Sequence, residues 1–180
     1  MRAPTFSLQY ARGLTMIELM ITLAVLGILA TIAAPSMQKL IRDNRVSSQA
    51  NEIVSLINMT RNEAIRRGIN VADSEQAVLR LDSGTASWSA NVSVTGGETG
   101  EGCPTGVIRC ASNENVTLAT TSSELSFEAR GYLVNNWQEE AICLKHVGEC
   151  AGDSQHLRIR ILPSGQVETG RLACDATCGR

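Results

Sequence analysis

Arg12-Gly13-Leu14-Thr15-Met16-Ile17-Glu18-Leu19 opens an apolar run that ends at Ala34-Pro35, and from Leu14 to Ala34 the only charged side chain is Glu18. As a helix rising 1.5 Å per residue, that run of about 21 residues reaches roughly 31 Å, enough to cross a bilayer's hydrocarbon core. A carboxylate near the membrane centre costs roughly 2.5–3.5 kcal/mol on insertion scales, so Glu18 calls for a partner. A cut after Gly13 would leave a new positive amine on Leu14, and Glu18 of a neighbouring subunit could pair with it. That predicts assembly rather than catalysis.

Past Pro35 the helical pattern continues but becomes amphipathic. Met37, Leu40, Ile41, Ile53, Val54, Ile57, Ala64 and Ile65 recur at three- and four-residue steps, bridged by Val46 and Ala50, with charged residues between them. Arg66 and Arg67 suit the negative end of the helix dipole, and Gly68 is a natural stop. The expected helix runs from about Thr15 to Arg67, close to 80 Å by rise per residue. Pro35 removes one donor and is expected to bend it.

From Val71 the texture changes to short β-type runs bounded by Gly, Pro and Ser. Strands are expected at Ala77–Leu81, Ala86–Val94, Val107–Cys110, Val116–Ala119, Leu125–Glu128, Ala141–Leu144, Leu157–Leu162 and Gln166–Glu168. Pro163-Ser164-Gly165 reads as the turn of a C-terminal hairpin. A long helix followed only by strands is an α+β arrangement, with an antiparallel sheet packed on the amphipathic half-helix. The domains expected are a basic leader at 1–13, a membrane or filament-core helix at 14–35, its amphipathic half at 36–68 and a β-rich head at 69–180.

The chain of 180 residues carries a formal charge of −2, and removal of Arg2 and Arg12 with the leader makes it two charges more negative. A mildly acidic protein gives no global footprint for nucleic acid, and aromatics at 3% leave few stacking platforms. Six Cys fall in close pairs, Cys103/Cys110, Cys143/Cys150 and Cys174/Cys178, after a membrane anchor. Disulfides in an oxidising compartment are expected, and sequence-adjacent pairing is the favoured choice among the 15 that six Cys allow. Cys143, His146 and Cys150 could be drawn as a metal site but offer three ligands at most, so a disulfide is preferred and neither metal nor cofactor is expected. His156 is expected to be solvated. His146 and His156 lie in no hydrolase motif, and Gly96–Gly102 lacks the Lys of a phosphate loop, so no enzyme is expected.

The N-terminal combination resembles the prepilin signal of type IV pilins and pseudopilins: a short basic leader, Gly13 before the cut, apolar Leu14, and Glu18 at the fifth mature position. Pro35, at mature position 22, also fits. Leu14 stands where the family commonly has Phe, and Met16 where it commonly has Leu. An ordinary secretory signal would show a small-residue cleavage site after a shorter core, and a plain anchor needs neither Gly13 nor Glu18. The resemblance implies cleavage after Gly13 by a prepilin peptidase, methylation of the Leu14 amine, and subunit registration through Glu18. It also implies the bacterial inner membrane as location, single pass with the head in the periplasm, before entry into a pilus or pseudopilus. Arg2 and Arg12 place the leader on the cytoplasmic side.

Within that superfamily the layout resembles the GspH-type pseudopilins of type II secretion and the FimT/FimU-type minor pilins. Asn62-Glu63-Ala64-Ile65-Arg66-Arg67-Gly68, with Arg61 before it, resembles the R-x-E-A segment closing the family helix. Phe127-Glu128-Ala129-Arg130-Gly131 resembles its F-x-x-x-G strand and turn, and Ile159–Gly165 its last hairpin. The implied role is a minor pilin that initiates or tips a type IV pilus, with major and minor pilins as partners. The alternatives are an H-type pseudopilin of a type II secretion system and a DNA-binding minor pilin for transformation. Gly165-Gln166-Val167-Glu168 lacks the G-R-x-R motif of the DNA-binding members. Arg158, Arg160, Arg171 and Arg180 would supply only weak, salt-sensitive DNA contacts.

Overall fold

The computed structural model describes residues 14–69, 76–134, 138–147, 156–173 and 177–178. Helix α1, Met16–Arg67, begins behind Thr15 and continues through Pro35. Its end follows from the sequence. Gly68 adopts φ 65°, its N–H donates to the Ile65 carbonyl at 3.2 Å, and the Ile69 N–H donates to Ala64 at 3.0 Å. Those two bonds form a Schellman cap, closed by the buried Ala64 and Ile69 side chains.

The chain divides into two compact units, Met1–Lys39 and Leu40–Arg180. In the first, the large apolar residues from Leu14 to Ile32 are exposed all round the helix. In the second, α1 buries one face made of Val46, Gln49, Ala50, Ile53, Leu56, Ile57, Thr60 and Ala64. The expected apolar stripe is thus corrected at both ends: Leu40, Ile41 and Ile65 are exposed, and burial begins only at Val46. Two polar residues take up apolar-face positions because their side chains are satisfied there. Thr60 Oγ1 donates to the Leu56 carbonyl at 2.8 Å, and Gln49 Oε1 accepts the Trp88 indole N–H at 2.6 Å.

Eight strands follow, each overlapping one expected from the sequence: β1 Ala77–Ser83, β2 Ser87–Val94, β3 Val107–Glu114, β4 Val116–Thr120, β5 Glu124–Phe127, β6 Glu140–His146, β7 His156–Ile161 and β8 Val167–Leu172. They form two antiparallel four-stranded sheets rather than one, in orders β3-β2-β1-β5 and β4-β6-β7-β8. The chain changes sheet at Asn115, whose φ is 66°. Its N–H donates to the Ala86 carbonyl at 2.8 Å, and its own carbonyl accepts from Val147 at 3.1 Å, so one residue is bonded toward each sheet. An Asn is well suited to this left-handed corner. The chain returns through residues 121–123, where the Thr121 N–H donates to Ala141 and the Ser123 carbonyl accepts from Leu81.

One core joins the buried helix face to both sheets. Trp88, Ala90, Val92 and Val94 alternate inward along β2, and Ile142, Leu144, Ile159 and Ile161 supply the second sheet's face. The C-terminal hairpin turns at Pro163-Ser164-Gly165, where Gly165 has φ 76° and the Leu162 N–H donates to Gln166 at 2.9 Å.

Candidate functional site

Thr15 and Glu18 build the start of the helix. The Glu18 N–H donates to Thr15 Oγ1 at 3.3 Å, so Thr15 is the N-cap and Glu18 the third helical residue. Thr15-x-x-Glu18 is the spacing of a capping box, and the carboxylate also stands at the positive end of the helix dipole. Leu14 is 74% exposed just outside this turn, while Gly13 lies outside the described residues.

The apolar surface from Met16 to Pro35 has little unmet polarity. The hydroxyls of Thr22 and Thr31 donate to the carbonyls of Leu19 and Ile28 at 2.9 and 2.7 Å. Just past Pro35, Ser36 bonds Ala33 in the same way at 2.8 Å. Such back-bonding lets hydroxyls sit in an apolar environment without a free donor. The helix is long and apolar enough to cross a membrane, and its most apolar stretch is wholly exposed. Apart from Glu18, this half-helix offers an apolar surface without groups for acid, base or metal chemistry.

In the head, the three segments that resemble family motifs converge on Arg61. Its Nε donates to the Gly131 carbonyl at 3.0 Å and its Nη2 reaches Ser164 O at 3.4 Å. A Cβ on Gly131, whose φ is 78°, would lie 2.8 Å from Arg61 Nε. A Cβ on Gly165 would overlap the Gly131 carbonyl and lie 2.9 Å from the same Nε. Nearby, Glu63 receives Arg66 and Arg67 at 2.8 and 3.0 Å, and Arg67 also donates to Thr95 O. The Arg66 hydrogen bond, aided by Arg67, holds the Glu63 carboxyl below its usual range. Arg61 had stood in the sequence only as a neighbour of the motif; the two distant glycine turns that it joins are invisible to spacing.

The cysteine pairing is corrected in part. Cys103 and Cys110 are joined, as sequence adjacency suggests, but Cys143 is joined to Cys178, not to Cys150. Cys150 and Cys174 lie outside the described residues. The reason is topological: Cys143 points away from the core on β6, where the segment carrying Cys178 lies against the Ala119 and Ala141 carbonyls. A Cys143 sulfur bonded to Cys178 supplies no thiolate for the drawn metal site.

Arg158, Arg160 and Arg171 line one pocket on the last hairpin, together with the acidic Glu168. Arg158 and Arg160 stand on β7, and Arg171 joins them from β8, where its backbone is paired with Leu157. Arg160 is bonded to Glu168 and lies 3.7 Å from Glu139. Arg180 lies outside the described residues. His156, expected to be solvated, is instead 4% exposed, and burial, with Lys145 nearby, pushes its pKa down.

Comparison with known families agrees with both halves of this geometry. Residues 8–34 match the prokaryotic N-terminal methylation motif, covering Gly13, Leu14, Glu18 and the exposed apolar part of the helix. Residues 49–171 match the family described as type II transport protein GspH, which covers the buried helix face from Gln49 onward, the strands of both sheets and the Arg61 junction. No curated protein and no solved structure matches the chain. Since the second match spans well over half of its length, the chain belongs to the GspH family of pilin-like proteins.

Proposed function

We propose that the chain is a non-enzymatic minor pilin of a type IV pilus. In this reading a prepilin peptidase cuts after Gly13 and the Leu14 amine is methylated. The apolar half-helix is held in the inner membrane with the head in the periplasm. It then joins other major and minor pilins at the start or tip of a filament. The observation that carries the reading is the exposed apolar half of α1, with Glu18 alone charged at its first turn. Among the described residues that surface has no cover, and other helices of the same kind would supply it. A bend at Pro35 would let the head settle against neighbours.

A second reading, an H-type pseudopilin of a type II secretion system, draws on the matched family's description as a type II transport protein. Mass spectrometry of what crosslinks to the chain, in sheared surface filaments and in the remaining membranes, separates the two. Recovery with a major pilin in the filaments is expected. Recovery only in membranes with secretion pseudopilins would move the same anchor and head to the secretion machine. Gly13→Glu should block maturation, and normal processing of that variant would remove the peptidase from the account.

A further inference from the structure

The two sheets end in the edge strands β3, β5, β4 and β8, and the fold guards the first three. Residues 132–134 run along β5, where Phe127 bridges Leu133 and the Val134 N–H donates to Ser126 at 2.9 Å. The loop braced by Cys103–Cys110 closes the start of β3, with the Gly100 N–H on the Val107 carbonyl at 2.9 Å. At the end of β3 the Glu114 carbonyl accepts Gln49 Nε2 at 3.4 Å. β4 packs against β1 and β2 of the other sheet. Among the described residues β8 has no such cover: it runs six residues without proline or bulge, bordered by β7 alone. Its bonding alternates from the Leu162 N–H on Gln166, so the backbone of Glu168, Gly170 and Leu172 faces β7. The N–H and C=O groups of Val167, Thr169 and Arg171 therefore face outward, and no described residue bonds them. An unpaired edge of this kind is a template for another strand. Gly170, directly opposite Arg158, leaves a gap between Glu168 and Leu172 in a pocket of about 340 Å³. Glu168 is tied to Arg160, but Arg158 and Arg171 bond nothing among the described residues.

We propose that β8 receives an extended peptide segment of another protein as an added strand, with an acidic side chain of that segment seated over Gly170 on Arg158. Main-chain bonds to Val167, Thr169 and Arg171 hold the segment, and the side-chain seat selects it. Neighbouring strands are about 4.8 Å apart, so the added strand stands about 10 Å from β7. Arg158 and a carboxylate reaching toward each other close that span because the residue between them, Gly170, has no side chain. A guanidinium without a partner takes a carboxylate in a fork of two charged hydrogen bonds. Nucleic acid fits the same place less well. Glu168 in the pocket and a formal chain charge of −2 oppose phosphate, and outward N–H and C=O groups match a peptide backbone. The inference concerns the head alone and holds whether the chain serves a pilus or a secretion machine.

The test uses the full chain in detergent as bait for a displayed library of short random linear peptides. Recovered peptides should share an acidic residue, and a synthetic copy of the strongest should bind Arg158→Gln at least about tenfold more weakly. A Cβ on Gly170 meets nothing within 4 Å, so Gly170→Val keeps the strand, fills the gap and should weaken binding by a similar factor. Thr169→Pro removes an outward N–H without touching the β7 ladder and should abolish binding. Methylating alternate backbone amides of the peptide should abolish binding for one alternate set and spare the other. Full binding by Thr169→Pro, or indifference to both methylated sets, would overturn strand addition. Full binding by Gly170→Val or Arg158→Gln would overturn the acidic seat. Recovery of no peptide, or retention of a short DNA duplex through Arg158 and Arg171 in its place, would overturn the assignment as a whole.

Discussion

Arg61 and His156 are single side chains on which separable properties of the head depend. Arg61 places one guanidinium between two glycine turns and bonds carbonyls 70 and 103 residues away in sequence. Hydrogen bonds made by charged groups are worth about 1.5–3 kcal/mol, so Arg61→Ala should destabilise the head by roughly that amount. Arg61→Lys should recover only part of it, because one ammonium cannot reproduce the fork that reaches both turns. Thermal unfolding of the full chain in detergent would measure both, and an unchanged midpoint for Arg61→Ala would show the junction to be passive. His156 acts through pH. Its folded pKa is depressed below 6.5, so above that value both folded and unfolded forms are neutral and it adds no slope. Below 6.5 the unfolded chain takes up the proton first, and stability falls with pH until the folded pKa is reached. His156→Gln should flatten that part of the stability–pH profile, whatever it does to stability at neutral pH. An unchanged slope below about pH 6.5 would show that other groups set it.

Elements were legible wherever local chemistry alone decides them. The eight strands were visible because β-branched runs alternate with Gly, Pro and Ser turns, and the helix end because Arg66-Arg67-Gly68 is a complete stop signal. The helix face was misread at Met37, Leu40 and Ile41 because periodicity reports which residues share a side, not where a covering sheet begins. Nothing in the spacing of Asn115 announces that the strands part into two sheets there. The pairing of Cys143 differs from sequence adjacency for a related reason, while Cys103–Cys110 follows it: distance along the chain says little about which segment crosses the outer face of β6. The two observed bridges close loops of very different size, with separations of 7 and 35 residues. In the chain-entropy account those lengths correspond to about 2.5 and about 4 kcal/mol. Replacing Cys143 and Cys178 together by Ser should therefore lower stability more than replacing Cys103 and Cys110. Peptide mapping without reduction should first recover the Cys143–Cys178 peptide. A Cys143–Cys150 peptide in its place would restore the sequence-adjacent pairing.

For the molecule as a whole, the question is whether Glu18 serves its own helix or a neighbour's terminus. Geometry gives it a local task, since Glu18 is the third helical residue after the Thr15 N-cap, at the spacing of a capping box, and a first-turn carboxylate favours the helix dipole. The proposed assembly would give it another, pairing with the amine that cleavage would create on Leu14 of the next subunit. The two tasks ask for different chemistry. A capping box accepts Gln as readily as Glu, because either side chain can bond the N-cap N–H. Ion pairing with an ammonium inside an apolar bundle needs the negative charge, and a neutral amide leaves that ammonium buried and uncompensated. Glu18→Gln should therefore be processed and held in the membrane like the unaltered chain, yet fail to enter filaments. Thr15→Ala should lose about 1 kcal/mol of helix-end stability and still assemble. Quantifying both variants in sheared and membrane fractions decides the matter. Assembly of Glu18→Gln at the normal level, with loss in Thr15→Ala, would reduce the carboxylate to a helix cap and leave the amine of Leu14 to find its counter-charge elsewhere.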